Sequence, residues 1–133
     1  MKCLVVDDDP GLLTVMSQYL TQHLPVSWKI YTANNGLQAR KVLHCHHGAH
    51  LMITDRHMPG ESGINLLQFV AETWPNTRFI LISSDSKNLQ ILNKNILYFA
   101  PSGGKRVGVK GLFLTKPFSM NGLLHALYEL TTE

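Results

Sequence analysis

Residues 3–10 read CLVVDDDP, and this stretch indicates the fold class most directly. Its first four residues are wholly apolar and partly β-branched, which is typical of a strand buried on both faces of a parallel sheet. The acidic residues end the strand and begin a helix, with Asp9 as the expected N-cap and Pro10 at the first helical position. The stretch therefore predicts a β-strand that passes directly into an α-helix.

The same cycle of strand and helix recurs along the chain. Further strands are predicted at about 27–32, 51–54, 78–83 and 112–115. Helices are predicted at about 10–20, 35–46, 62–73 and 119–130, with one more carrying Leu89, Leu92, Ile96 and Phe99. Five strands alternating with five helices predict an α/β fold in which one doubly wound parallel sheet has helices on both faces.

The composition is that of one folded domain spanning residues 1–133. Hydrophobic residues make up 44% of the chain and charged residues 16%, which suits a packed core and excludes the disordered class. The net charge of +3 comes from scattered Lys and Arg residues, so we expect no nucleic-acid binding. The apolar runs are too short for a membrane span. Two cysteines, Cys3 and Cys45, suit a reducing cytoplasm rather than a disulfide framework.

Acidic, hydroxyl and basic residues follow the predicted strands. Asp7 and Asp8 follow the first strand and Asp55 follows the third. Ser83 ends the fourth strand, and Lys116 follows the fifth. In doubly wound sheets, ligands bind outside the carboxyl ends of the strands. The sequence therefore predicts that these five residues form one site.

Three carboxylates beside a lysine point to a particular chemistry. Without a counter-ion, the carboxylates would raise one another's pKa values. A hard cation with oxygen ligands removes this conflict, so we expect Mg²⁺, with Mn²⁺ as a substitute. One carboxylate can then attack a phosphoryl donor to form an aspartyl phosphate, while Lys116 and Ser83 stabilise the oxygen charge.

The same residues resemble those of response-regulator receiver domains, the chemotaxis-regulator-like domains of two-component systems. The resemblance rests on the acidic pair at 7–8, the sequence DRHMPGESG at 55–63, the hydroxyl of Ser83 and the Lys-Pro pair at 116–117. It extends over essentially the whole chain. It implies a flavodoxin-like fold with strand order 2-1-3-4-5.

The resemblance also assigns roles within the site. It implies that Asp55 is the phosphorylated residue and that Asp8 and Asp55 bind Mg²⁺ together with the backbone carbonyl of His57. Asp7 would act on the cation through water. Lys116 would contact the phosphoryl oxygens, and its peptide bond to the next residue would be cis.

Further residues are implicated only by the resemblance. Ser83 would move toward the phosphoryl group, and Phe113 occupies the aromatic switch position. Ser84 stands where receivers usually have a small residue such as Ala, so the approach of the phosphoryl group would be altered. His57 and Asp85 occupy the positions that tune dephosphorylation.

The function that we expect is a phosphorylation-controlled switch rather than a turnover enzyme. The phosphoryl group would come from a histidine kinase or a phosphotransfer protein. The last α-β-α face, near Phe113, would then engage a downstream protein or output domain. We expect this domain to act in the cytoplasm, without contact to a membrane.

Two segments depart from the family pattern. Residues 101–111 are glycine-rich and lengthen the connection before the last strand, which predicts an extended loop or a hairpin. Histidines and a cysteine cluster at 44–50, where a solvated helix end is favoured over a metal site because neighbouring helical residues diverge.

Two alternative functions remain open from the sequence. One is a degenerate receiver that binds partners without phosphorylation. The other is an aspartate-based phosphatase of the haloacid dehalogenase type, for which Asp7 and Asp9 have the required spacing.

Overall fold

The computed structural model describes residues 1–84, 89–91, 96–99 and 107–131. Within them, the strands are β1 (Lys2–Val6), β2 (Lys29–Ala33), β3 (Leu51–Asp55), β4 (Arg78–Ser83), β5 (Leu89–Ile91), β6 (Ile96–Phe99) and β7 (Val107–Thr115). The helices are α1 (Pro10–His23), α2 (Gly36–Cys45), α3 (Gly63–Thr73) and α4 (Met120–Thr131). None of the helices in the described ranges combines the length and the hydrophobicity that a membrane-spanning segment needs.

One sheet of seven strands organises these elements, in the order β2-β1-β3-β4-β7-β6-β5. The first five strands in that order are parallel to their neighbours. Because β7 is the fifth strand of this parallel part, the predicted strand order 2-1-3-4-5 and the doubly wound fold are confirmed.

The core lies in two layers, one on each face of the sheet. Alternate residues of a strand point to opposite faces. In β1, Leu4 and Val6 join the layer that includes side chains of α2 and α3, whereas Cys3 and Val5 join the layer that includes α1 and α4. Residues 3–6 are fully buried, which explains why this strand has no polar face.

The helix predicted from Leu89, Leu92, Ile96 and Phe99 is wrong. Residues 89–91 and 96–99 form the antiparallel strands β5 and β6, and 92–95 lie outside the described part of the chain. Residues 96–99 read ILYF, and β-branched and aromatic residues favour strands. Their strand partner is residues 107–110, which spacing within the segment cannot reveal.

Strand β7 begins earlier than the sequence predicted. Its residues 107–110 pair with β6 in the antiparallel sense, and 111–115 pair with β4 in the parallel sense. The loop expected at 101–111 therefore does not include 107–111, and 101–106 lie outside the described residues. The antiparallel pairing extends the sheet beyond its parallel part.

Candidate functional site

Adjacent strands bring the predicted site residues to one edge of the sheet. In the parallel register, Val6 is opposite Thr54, so the residues that follow β1 lie beside the end of β3. Asp55 is opposite Ile82. Ser83 is opposite Thr115, which places Lys116 just beyond the end of β4. The strand order thus assembles residues that are far apart in sequence.

Three carboxylates meet at this edge. Asp7, Asp8 and Asp55 each have a carboxylate oxygen within 4.8 Å of the others. Asp7 and Asp55 are buried, whereas Asp8 is exposed. Within the described ranges, this is the one group of three or more acidic, histidine or cysteine side chains close enough to share a metal ion.

The lysine lies beside the carboxylate of Asp55. Lys116 Nζ is 3.3 Å from Asp55 Oδ1, and the Lys116–Pro117 peptide bond is cis, as expected. The backbone N–H of Lys116 donates to the carbonyl of Ser83 at 2.9 Å, which continues the sheet pairing up to the site. The ammonium group is thereby held where it neutralises charge on Asp55 or on a group attached to it.

The surroundings of Asp7 disfavour its negative charge, which a bound cation would stabilise. Its Oδ1 accepts a hydrogen bond from the backbone N–H of Asp9 at 2.9 Å. Its Oδ2 is buried and has no hydrogen-bond partner among the residues that the structure describes. Burial raises the pKa of Asp7, and the charge of Asp55 raises it further, against the lowering effects of the Asp9 N–H and Lys116.

Removing the charge of Asp7 should stabilise the metal-free protein. We expect Asp7→Asn to raise the free energy of unfolding at neutral pH by about 1 kcal/mol, because a buried, unpaired charge is lost. The pKa of Asp7 is higher in the folded than in the unfolded protein. The wild type therefore loses free energy of unfolding as the pH rises from the unfolded-state pKa through the folded-state pKa. The gain should therefore shrink on acidification. Urea unfolding in EDTA at several pH values measures the gain in the free energy of unfolding. An equal gain at all pH values would contradict the buried charge of Asp7 as its cause.

The loop after Asp55 is anchored by its backbone. The N–H of Arg56 donates to the carbonyl of Ile82 at 2.8 Å, and the N–H of Gly63 donates to the carbonyl of Arg56 at 2.7 Å. A Cβ at Gly63 would overlap with the backbone carbonyl oxygen of Asp55, so α3 can begin this close to the site only with glycine. Met58 is buried in the core, whereas His57 is exposed.

The other predicted site residues take different positions. Ser83 is buried at the end of β4, and Ser84 is exposed next to it. Phe113 is half-buried and packs against the core layer of α2 and α3. Asp85 lies outside the described residues. Asp9 caps α1, since its Oδ1 accepts from the backbone N–H groups of Gly11 and Leu12.

Within the described part of the chain, no three of the histidine and cysteine side chains at 44–50 have ligand atoms close enough together to share a metal ion. His46 stacks on Tyr31, with ring centroids 3.9 Å apart. His44 contacts Trp74 edge to face at 5.7 Å. His50 Nδ1 accepts the backbone N–H of Lys2 at 2.9 Å. These three rings therefore have separate partners in the fold.

One contact near the site was missed by sequence reasoning. Arg40 on α2 forms an ion pair with Glu61 in the loop after Asp55. The two residues are 21 positions apart, and although Glu61 lies in the 55–63 motif, Arg40 belongs to none, so only the fold brings them together. A positive and a negative residue at this separation carry no signal in a single sequence.

The fold and the acidic edge together define a flavodoxin-like α/β domain with an oxygen-rich candidate site beside a lysine. A family model of the response regulator receiver domain matches residues 3–99. Since this match covers well over half of the chain, the protein belongs to the response-regulator receiver domains of two-component systems. The matched residues end before β7, which leads to Lys116.

Relatives and solved structures agree with this family. The chain is 29% identical over 126 residues to the hydrogenase transcriptional regulatory protein HoxA of Bradyrhizobium diazoefficiens, covering 95% of this chain and 23% of HoxA. It is 26% identical over 132 residues to the uncharacterized transcriptional regulatory protein YesN of Bacillus subtilis, covering 99% and 33%. It therefore spans a third or less of these curated relatives. The chemotaxis protein CheY4 of Vibrio cholerae has a similar fold, with a TM-score of 0.70, 20% identity and 97% of both chains covered.

Proposed function

We propose that this receiver domain accepts a phosphoryl group on Asp55. The observation that carries the proposal is the convergence of three carboxylates, with Lys116 Nζ 3.3 Å from Asp55 Oδ1. A carboxylate oxygen of Asp55 attacks phosphorus, and the bond between phosphorus and the donor's leaving group breaks. Lys116 contacts the phosphoryl oxygens, because its ammonium group already lies beside the acceptor carboxylate.

Magnesium is the cofactor in this proposal, with Mn²⁺ as a substitute. Asp8 and Asp55 would bind it directly together with the His57 backbone carbonyl, and Asp7 would act through water. The donor set is entirely oxygen, as Mg²⁺ prefers, and the unpartnered Asp7 Oδ2 favours a positive charge nearby. When bound, Mg²⁺ neutralises charge on the phosphoryl oxygens.

The remaining residues have roles in switching and in dephosphorylation. Ser83 would turn toward the phosphoryl group, past the exposed Ser84, and Phe113 would change its packing on the core. His57 and Asp85 would set the rate at which water removes the phosphoryl group. Such a switch is a shift between two packings, biased by new charge-assisted contacts.

The donor in the cell would be a histidine kinase or a phosphotransfer protein. The interaction face would include α4 and the antiparallel pair of β6 and β7 in place of the expected helix, and it would engage a downstream protein or output domain. We place the domain in the cytoplasm, with no direct role in nucleic-acid or membrane binding. Its own chemistry is one phosphorylation and one dephosphorylation, not turnover of a substrate.

The two alternatives have less support. A receiver that works without phosphorylation has no need of Asp7, Asp8, Asp55 and Lys116 in one cluster. A phosphatase of the haloacid dehalogenase type would need Asp9 as a free acid, but the Asp9 side chain caps α1.

Incubation with acetyl phosphate tests the proposal. We expect intact mass spectrometry to show the addition of one phosphoryl group in the presence of Mg²⁺. Treatment with EDTA should prevent it, because the oxygen charge is then not neutralised. The same mass with and without acetyl phosphate, in protein saturated with Mg²⁺, would refute phosphoacceptor function.

A further inference from the structure

The loop at residues 56–62 lies between the acidic site and helix α2. Its first residue follows Asp55, and its last residue, Ser62, caps α3 through a hydrogen bond from the N–H of Asn65 at 3.1 Å. The loop and the start of α2 lie side by side and together line a groove of about 410 Å³. Because the loop begins directly after Asp55, a contact between the loop and α2 influences where the loop backbone lies relative to Asp55.

Arg40 and Glu61 make such a contact. Arg40 Nε donates to Glu61 Oε1 at 3.1 Å, and Arg40 Nη2 donates to Glu61 Oε2 at 2.5 Å. Both side chains are partly buried, with 33% and 25% of their surface exposed. The planar, two-point geometry fixes the direction as well as the length of the contact, which a single lysine–carboxylate pair would not do.

The guanidinium group is also held from a second side. Its central carbon lies 3.9 Å from the ring centroid of Phe69 on α3, within the range of a cation–π contact. Arg40 therefore joins three elements: α2 through its own backbone, the loop through Glu61, and α3 through Phe69. These contacts restrict the position of the guanidinium group and, through Glu61, that of the loop.

The first residue of α2 makes room for the glutamate. A Cβ at Gly36 would overlap with the Glu61 carboxylate oxygen, so Glu61 packs directly on the helix backbone. Glu61 is thereby in contact with α2 at both Gly36 and Arg40. We call the contact among Arg40, Glu61 and Phe69 the loop clamp.

We propose that Arg40 and Glu61 are positioning residues, which hold the 56–62 loop so that its backbone carbonyl at His57 completes the metal site. This inference rests on the proposed function, since it assumes Mg²⁺ at the acidic cluster. The inner side of the loop is fixed by the backbone hydrogen bonds of Arg56 and Gly63, and the loop clamp fixes the outer side. Neither Arg40 nor Glu61 touches the cation in this arrangement.

Titration of metal-free protein with Mg²⁺ by calorimetry tests the loop clamp. We expect Arg40→Gln to weaken Mg²⁺ binding roughly three- to fivefold, in keeping with the energy of a partly exposed charged pair. Coulomb's law alone predicts the opposite sign, because removing a positive charge near the site favours a cation. Weaker binding in Arg40→Gln therefore reports the position of the loop.

Lys41→Gln is the matched control. Lys41 is the exposed neighbour of Arg40 on α2, and its loss removes the same charge without touching the loop clamp. It should leave Mg²⁺ affinity unchanged or slightly raise it. Arg40→Lys should weaken binding nearly as much as Arg40→Gln, because lysine keeps the charge but lacks the planar fork.

The double variant Arg40→Gln with Glu61→Gln completes the design. Its affinity should lie between those of Arg40→Gln and Glu61→Gln, because both changes break one contact and their charge effects on the cation are opposite. Wild-type affinity in Arg40→Gln and Arg40→Lys, with only a lower unfolding midpoint, would show that the clamp is merely structural. Absence of Mg²⁺ binding by the wild-type protein would instead refute the proposed function.

Discussion

Replacing Asp55 by Asn should abolish phosphorylation by acetyl phosphate. The amide is close in size to the carboxylate, so the buried position and the fold are retained, but it lacks the nucleophilic oxygen that forms the acyl phosphate. Because Lys116 loses its charged partner, we expect a small change in stability and a complete loss of the phosphoryl mass increment. Intact mass and a urea unfolding curve on the same sample measure the two effects separately.

Asp9→Asn is the matched control for that change. Asp9 is two residues beyond Asp7 but caps α1, and asparagine is an equally good N-cap. This variant should therefore be phosphorylated to the same extent as the wild type. Phosphoryl incorporation in Asp55→Asn at the wild-type level would show that another residue is the acceptor.

Gly63→Ala should produce the largest loss of stability of any single methyl addition near the site. The new Cβ would overlap with the backbone carbonyl of Asp55 and lie 2.9 Å from the Cα of Arg56. Both obstacles are backbone atoms, which cannot rotate away as a flexible side chain can. We expect a loss of about 3 kcal/mol in the free energy of unfolding, at the upper end of the usual cost of overpacking, together with slower phosphorylation because Asp55 is displaced.

Gly11→Ala provides the comparison. Gly11 is in the first turn of α1, and its added Cβ would lie 3.4 Å from Asp9 Oδ1, close to an ordinary contact. Because alanine is the better helix former, this variant should be neutral or more stable by a few tenths to about 1 kcal/mol. Equal stability of the two variants in urea would contradict the close approach at Gly63.

The site was predictable to the extent that it depends on strand ends. Asp7, Asp8, Asp55, Ser83 and Lys116 each follow or end an apolar run, and parallel strands place those ends together. The N-caps at Asp9, Asn35 and Ser62 could be read in the same way, because a cap acts within three or four residues. The roles of these residues remain predictions until phosphorylation is measured.

The segment between β4 and β7 was predictable only in part. Its apolar residues fit a helix and a strand equally well over short runs, and the helical spacing of Leu89, Leu92 and Ile96 was misleading. Residues 96–99 form a strand rather than a helix because residues 107–110 provide backbone partners for β6. Leu97 and Val109 are buried against the α2 and α3 layer, so tertiary packing stabilises the strands.

The sequence by itself determined the features that depend on local spacing: the alternation of buried strands and amphipathic helices, the helix caps and the acidic edge of the sheet. The tertiary structure decided which distant segments meet. It paired 96–99 with 107–110, and it brought Arg40 to Glu61 and Phe69 around the loop after the proposed phosphoacceptor. The physical reason is that a contact between residues far apart in sequence depends on how whole elements pack, and periodicity reports only on neighbours within one element.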